Sequence, residues 1–340
     1  MTQPEAGIAA IAYAVPAREV TNEDLAREHP DWRMAVVARR TGVLSRRWCE
    51  PHETALDLAV TASAALFERV ARKPEDVDAI LFCTQTPDFV MPPNACLLQA
   101  RLGIPSSAAA LDFSLACSGF LYGLYLARGL ICSGSAGTIL LVTAETYSKL
   151  FSPDDRGPAT LFGDGAAATL ITDDRRGIGP VVLGTDGSAH AMFYVPAGGT
   201  RHPSTPETCA PVTDRFGNRR SAEQLVMHGA AVLAFVDREV VPFVRRAMAQ
   251  LSVRWADLDL AVFHQASRAT LELLATRLDV PADKMFSNLE RVGNTVSASI
   301  PMALRDAADQ GRLQSGAKVL VVGFGVGMSW GACVLTWNAT

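Results

Sequence analysis

Cys117 stands where an apolar, strand-like run ending at Ala116 meets Ser118-Gly119 and then a pattern of apolar residues at helical spacing: Phe120, Leu121, Leu124, Leu126, Ala127, Leu130 and Ile131. A thiol at such a junction faces the first turn of a helix, whose unpaired N–H groups and positive dipole end favour the thiolate. Nucleophilic catalysis is the chemistry that this position offers; the other use of a free cysteine is as a small buried hydrophobe. His264 closes an apolar strand, Leu260 to Phe263, and is followed by Gln265-Ala266-Ser267 and a helix from about Arg268. The carboxyl end of a strand facing a helix start is where α/β proteins place chemistry. Asn294, in Gly293-Asn294-Thr295, precedes a further helical pattern and reads either as a donor to a substrate or as an N-cap. Gly323 to Gly331 is a glycine-rich turn between apolar strands, able to bring backbone N–H groups against a ligand oxygen. It is no dinucleotide fingerprint, because no helix follows it, and Phe162-Gly163-Asp164-Gly165 lacks the Lys-Ser/Thr of a phosphate loop.

The elements that carry these residues occur twice. Glu75 to Phe82 resembles Ala256 to Phe263, 181 residues on, and Gly137 to Glu145 resembles Ala317 to Gly325, 180 residues on. One offset shared by two strand signals predicts two copies of one supersecondary plan: an N-terminal half over 1–180 with the nucleophile and a C-terminal half over 181–340 with the histidine and asparagine. The strands are continuous apolar runs, which predicts mainly parallel strands covered on both faces. The helix after Cys117 and the helix over about Ser297 to Asp309 are apolar around much of their circumference, so both are expected to pack together between two sheets. Residues 196–221 are rich in Gly, Pro, Thr and Arg and read as irregular structure, either a lid or a plain surface excursion.

Composition narrows the function classes. The chain has 340 residues, 49% hydrophobic and 19% charged, enough to bury a large core. A net charge of −4 argues against broad nucleic-acid binding. Seven cysteines without a C-x-x-C and without a secretory leader predict a reduced, cytoplasmic thiol set. The apolar stretch Ile8 to Val15 reads as a strand, and no run approaches the length of a membrane span. No His/Cys spacing suits a metal.

Taken together, Ala116-Cys117-Ser118-Gly119-Phe120, Asp154-Asp155-Arg156-Gly157, Leu161-Phe162-Gly163-Asp164-Gly165-Ala166, His264-Gln265-Ala266, Gly293-Asn294-Thr295 and Gly323-Phe324-Gly325-Val326-Gly327 resemble the β-ketoacyl-acyl carrier protein synthase III family of the thiolase superfamily. The resemblance covers nearly the whole chain. It implies an α/β fold, a thiolase-like duplicated five-layered α-β-α-β-α sandwich, in a homodimer. It also implies a condensing acyltransferase of fatty acid or polyketide biosynthesis that needs no cofactor, its substrates being acyl-CoA or acyl carrier protein thioesters. Cys117 would carry the acyl group, and the N–H groups of Cys117 and Val326 would form an oxyanion hole. His264 and Asn294 would donate hydrogen bonds to a malonyl thioester as it loses carbon dioxide, giving a 3-ketoacyl product.

Further roles follow from the resemblance. Arg156 is expected against the adenine of a CoA donor, Phe324 is expected to shield the site, and Met91 is expected to cross the dimer interface and limit the acyl pocket. Biosynthetic thiolases carry a second cysteine in the C-terminal glycine turn; here Phe324 precedes Gly325, and Cys333 lies on the following strand, which favours condensation over thiolysis. Two departures touch pantetheine binding: Ser267 stands where the family commonly has asparagine, and Met227-His228-Gly229-Ala230 lacks the asparagine usual after the glycine, so Gly229 and Ser267 are substrate-binding candidates. Trp32 lies too far before Arg40-Thr41-Gly42 to match the family's tryptophan. These departures resemble a specialised-pathway branch, which leaves an alternative: the same cysteine acylating an oxygen, nitrogen or carbon nucleophile without decarboxylation. An acidic carrier protein would dock on a basic patch, for which Arg268 and Arg277 are candidates with Arg245 and Arg246 near them.

Overall fold

The computed structural model describes residues 5–174 and 177–339. Two sheets form its framework. The first contains β1 (Gly7–Ala14), β2 (Ala79–Cys83), β3 (Ala109–Phe113), β4 (Thr138–Glu145) and β5 (Gly165–Thr172), in the order β1-β5-β4-β2-β3. The second contains β6 (Ile178–Thr185), β7 (Leu260–Phe263), β8 (Lys318–Gly325) and β9 (Ser329–Thr336), in the order β6-β9-β8-β7. Strand β6 spans the point between residues 180 and 181 and belongs to the second sheet.

The same path is traced twice. β2 runs parallel to β4, and β4 runs antiparallel to β5, which runs antiparallel to β1; β7, β8, β9 and β6 repeat these relations in turn. The expectation of mainly parallel strands is therefore corrected: each sheet is mixed. The strands still read as unbroken apolar runs because both faces of each sheet are covered, which is what continuous hydrophobicity reports. A fifth strand completes the first sheet only. At the matching place in the second sheet there is an isolated bridge between Ala261 and Met285.

The helices that matter to the site are α1 (Met34–Thr41), α2 (Ala55–Glu68), α3 (Asn94–Leu102), α4 (Gly119–Cys132), α5 (Gly229–Phe235), α6 (Val241–Gln250), α7 (Arg268–Arg277) and α8 (Ser299–Asp309). A π-helical turn, Val236–Val240, joins α5 to α6. Between the sheets, Phe120, Leu121, Leu124 and Ile131 of α4 share one core with Ile300, Ala303 and Leu304 of α8, with Ile139 and Leu141 of β4, and with Val319 and Val321 of β8. The intervening residues Leu140 and Val142 of β4 point the other way, into a core shared with α2 and α3. This alternation is the two-residue period of a strand buried on both sides. On the far face of the second sheet, Val244 and Ala247 of α6 and Leu271 and Leu274 of α7 pack with Val322 and Ala332. The layers are thus α-β-α-β-α, with α4 and α8 in the middle one.

Candidate active site

The nucleophile loop leaves β3 and turns into α4. Cys117 is buried, and Ser118 is the residue before the helix. The loop is clamped against the turn between β8 and β9: Ser118 Oγ and Ser329 Oγ are 2.7 Å apart. A Cβ on Gly325 would lie 2.8 Å from Cys117 Cβ and 2.9 Å from Sγ, so only glycine lets this strand end pass the thiol. The backbone N–H groups of Cys117 and Val326 both face Sγ and pull its pKa down, yet burial, the largest effect, and the nearby Glu145 push the thiol well above its ordinary value. The expected thiolate stabilisation by the helix start is outweighed, because sulfur deprived of water is worse placed to bear charge than a few N–H groups can repair.

His264 directly follows β7, and its backbone N–H donates to Val322 O at 2.8 Å. Its ring is buried and edge-on to Phe324, with centroids 5.6 Å apart. Burial holds its pKa down at about 3, so the ring is neutral. Ser299 Oγ, at the start of α8, lies 2.7 Å from Nδ1. A serine hydroxyl donating to Nδ1 leaves the N–H on Nε2, the nitrogen nearer Asn294.

Asn294 is not the N-cap of α8, which begins five residues later after Ala298. Its backbone is held by Leu161, whose carbonyl accepts its N–H at 2.9 Å, and by Gly163, whose N–H donates to its carbonyl at 3.1 Å. Its Oδ1 accepts the Val296 N–H at 2.9 Å, which aims the Nδ2 donor at the cavity, 3.4 Å from His264 Nε2 and 3.4 Å from the Ala266 carbonyl. Val296 takes φ +54°, rare for a β-branched residue, to make this turn. Cys117, His264, Asn294 and Phe324 all line one pocket of about 940 Å³.

The other predicted residues divide. Arg156, Gly229 and Ser267 line the same pocket. Ser267 also caps α7, its Oγ accepting the Thr270 N–H at 3.2 Å. Met91 is 79% exposed and lies outside its own chain's pocket, on the Phe89–Met91 loop. Arg268 is exposed beside Gly42, near the pocket mouth. Arg277 is bonded through Nε and Nη2 to Asp237, at 2.7 and 2.8 Å, and its carbonyl accepts from Arg245. Trp32 stacks on His29 with ring centroids 3.9 Å apart.

Several lining residues were not read from the sequence. α1 brings Arg33, Val36 and Arg40 to the mouth. The segment 196–221 is neither a free lid nor a plain excursion: its hairpin, Val212–Thr213 against Arg219–Arg220, lines the pocket through Arg215 and Phe216. It is fastened by Arg220 to Asp155 at 2.9 Å and to Asp214 at 3.2 Å.

The matching family profiles are described as 3-oxoacyl-[acyl-carrier-protein (ACP)] synthase III, over residues 111–187, and its C-terminal part, over 248–337. A β-ketoacyl-[acyl-carrier-protein] synthase III of Symbiobacterium thermophilum is 37% identical over 337 residues, covering 98% of each chain. The chain belongs to the β-ketoacyl-[acyl-carrier-protein] synthase III family. A crystal structure of a 3-oxoacyl-(acyl-carrier-protein) synthase III superposes with a TM-score of 0.96 at 42% identity, over 98% of this chain and 100% of that one. A 3-oxoacyl-(acyl-carrier protein) synthase from Burkholderia xenovorans LB400 gives 0.90 at 31% identity, over 97% and 93%. The thiolase-like fold that the resemblance implied is the fold of these synthases, and membership places the chain among acyl-transferring condensing enzymes.

Proposed function

We propose that the protein loads an acyl group from a thioester onto Cys117 and condenses it with a malonyl carrier-protein thioester, releasing carbon dioxide and a 3-ketoacyl thioester. The observation that carries the reading is the convergence in one pocket of a thiol flanked by two backbone N–H groups and a neutral imidazole–carboxamide donor pair. In the first step the Cys117 sulfur bonds to the acyl carbon, the donor's C–S bond breaks, and the donor thiol leaves with the cysteine proton. The Cys117 and Val326 N–H groups receive the oxyanion. In the second step the malonyl C–C bond to the carboxylate breaks and its electron pair becomes an enolate. Its oxygen sits against His264 Nε2–H and Asn294 Nδ2–H. The enolate carbon attacks the acyl-cysteine, and the sulfur leaves and regains a proton. A neutral pair suits this step, since it stabilises developing charge without protonating the carbanion. On this reading no cofactor is required.

The pocket mouth supports an anionic carrier arm: Arg33, Arg40, Arg156 and Arg215 line it, with Arg268 beside it and the Arg277 charge matched by Asp237. A homodimer is supported by an apolar surface around the edge strand β3, including Phe89, Val90, Met91, Leu111 and Tyr125. The deciding experiment is carbon dioxide release from malonyl carrier protein together with intact mass of the enzyme. Acyl-dependent release and an acyl adduct on Cys117 are expected. An adduct without carbon dioxide release would instead select acyl transfer to another nucleophile.

A further inference from the structure

Glu145, the last residue of β4, has no access to solvent and makes no ion pair with a basic side chain among the described residues. One oxygen, Oε2, accepts the Gln85 N–H at 3.0 Å and the Thr86 hydroxyl at 3.4 Å. The other, Oε1, lies 3.0 Å from Ser297 Oγ. Ser297 belongs to the turn Val296–Ala298, one residue beyond Val296, whose N–H donates to Asn294 Oδ1. The same serine lies beside Cys83, since a Cβ on Gly119 would meet both Cys83 Sγ and Ser297 Cβ, and Cys83 Sγ–H donates to the carbonyl of Leu115, two residues before Cys117, at 2.7 Å. Contacts therefore run from Glu145 through Ser297 and Cys83 to the nucleophile's own loop.

Such a chain has a direction. If the carboxyl holds its proton, Glu145 donates to Ser297 Oγ and leaves the serine hydroxyl free to turn toward the neighbouring Cys83 sulfur. Once ionised, Glu145 draws the serine proton to itself, away from that sulfur. We propose that Glu145 works as a neutral carboxylic acid, a positioning residue that ties the Cys117 loop to the Asn294 turn, and that its ionisation suppresses the nucleophile. The proposal rests on the reading of Cys117 as the reactive thiol.

The surroundings agree. Burial, first, lifts the Glu145 pKa to about 8, and the N–H and hydroxyl donors only partly offset it. The titratable groups facing it are Cys83 from β2, Cys117 from the nucleophile loop, Tyr147 beyond β4 and Asp164 before β5. From the Gln85–Thr86 and Val296–Ala298 turns it meets only uncharged donors. A charge on Glu145 raises the pKa of both neighbouring thiols, so the alkaline limb, where a thiol would otherwise gain reactivity, is where Glu145 opposes it.

The test is the rate of Cys117 alkylation by iodoacetamide against pH, read on the Cys117 peptide by mass spectrometry, in the full-length protein. Glu145→Gln imitates the protonated acid, with one N–H for Ser297 and one carbonyl for Gln85. Its rate should equal that of the unmodified protein near about pH 6.5 and exceed it by about tenfold near about pH 9.5, since interacting sites displace each other by a unit or more. Ser297→Ala removes one donor to the carboxylate, so the bend in the profile should move to higher pH; it also serves if the glutamine variant does not fold. Superimposable profiles for Glu145→Gln and the unmodified protein, or a bend unmoved by Ser297→Ala, would overturn the proposal. Alkylation needs no acyl donor, so a Cys117 that follows these profiles but never takes an acyl group would defeat the condensing reading alone.

Discussion

At the scale of single residues, the site separates two jobs that variants can pull apart. On the proposed mechanism, the Val326 and Cys117 N–H groups would serve the acylation oxyanion, whereas His264 and Asn294 would serve the enolate. His264→Ala or Asn294→Ala should therefore still trap an acyl group on Cys117 while losing about a hundredfold or more in condensation, the usual cost of one oxyanion donor. Intact mass and carbon dioxide release on the same sample check this. Gly325→Ala should do the reverse, because its methyl group would lie 2.9 Å from Sγ and block loading first. Because burial holds His264 at about 3, it is neutral above about pH 4 and gains no proton across the neutral range. Its ring resonances should stay constant between about pH 5 and pH 8, and a shift there would mean that water reaches the ring.

At the scale of elements, the mouth of the pocket is made by pieces far apart in the chain: α1, the 212–220 hairpin and the start of α7. Arg268 and Arg277 sit on one helix but differ in partner. Asp237 already neutralises Arg277, so Arg268→Glu should raise KM for carrier-protein substrates in a salt-sensitive way, with Arg277→Ala changing it less; steady-state kinetics at two ionic strengths compares them. The elements also mark where the sequence was legible. β2, β4, β7 and β8 announced themselves by one repeated offset, and the strand ends then gave Cys117 and His264. Asn294 was ambiguous because the residues around it suit a cap, and only the φ +54° turn at Val296 carries it away from the helix start. Ser299, the 212–220 hairpin and Glu145 were missed for a shared reason. Their partners lie far off along the chain, and no local pattern records a contact between distant segments.

At the scale of the whole molecule, burial of Glu145 has a price in stability. A carboxyl lifted from 4.5 to about 8 on folding contributes fully below its unfolded value, and that contribution drains as pH rises through about 8. Glu145→Gln has no such drain, so its unfolding free energy relative to the unmodified protein should rise from about pH 5 to about pH 9, reaching a gain on the order of a few kcal/mol. Calorimetry across that range measures it. Val90→Asp places charge on a fully exposed apolar residue of the proposed dimer surface and should shift the sedimentation coefficient toward that of a monomer.

The unequal ends of the two sheets set a limit on growth. One half finishes in a full strand with an open rim, and the other in a single bridge between Ala261 and Met285. In the proposed dimer the β3 rim would pair with its own copy, a contact that closes on itself at two subunits and leaves no place for a third.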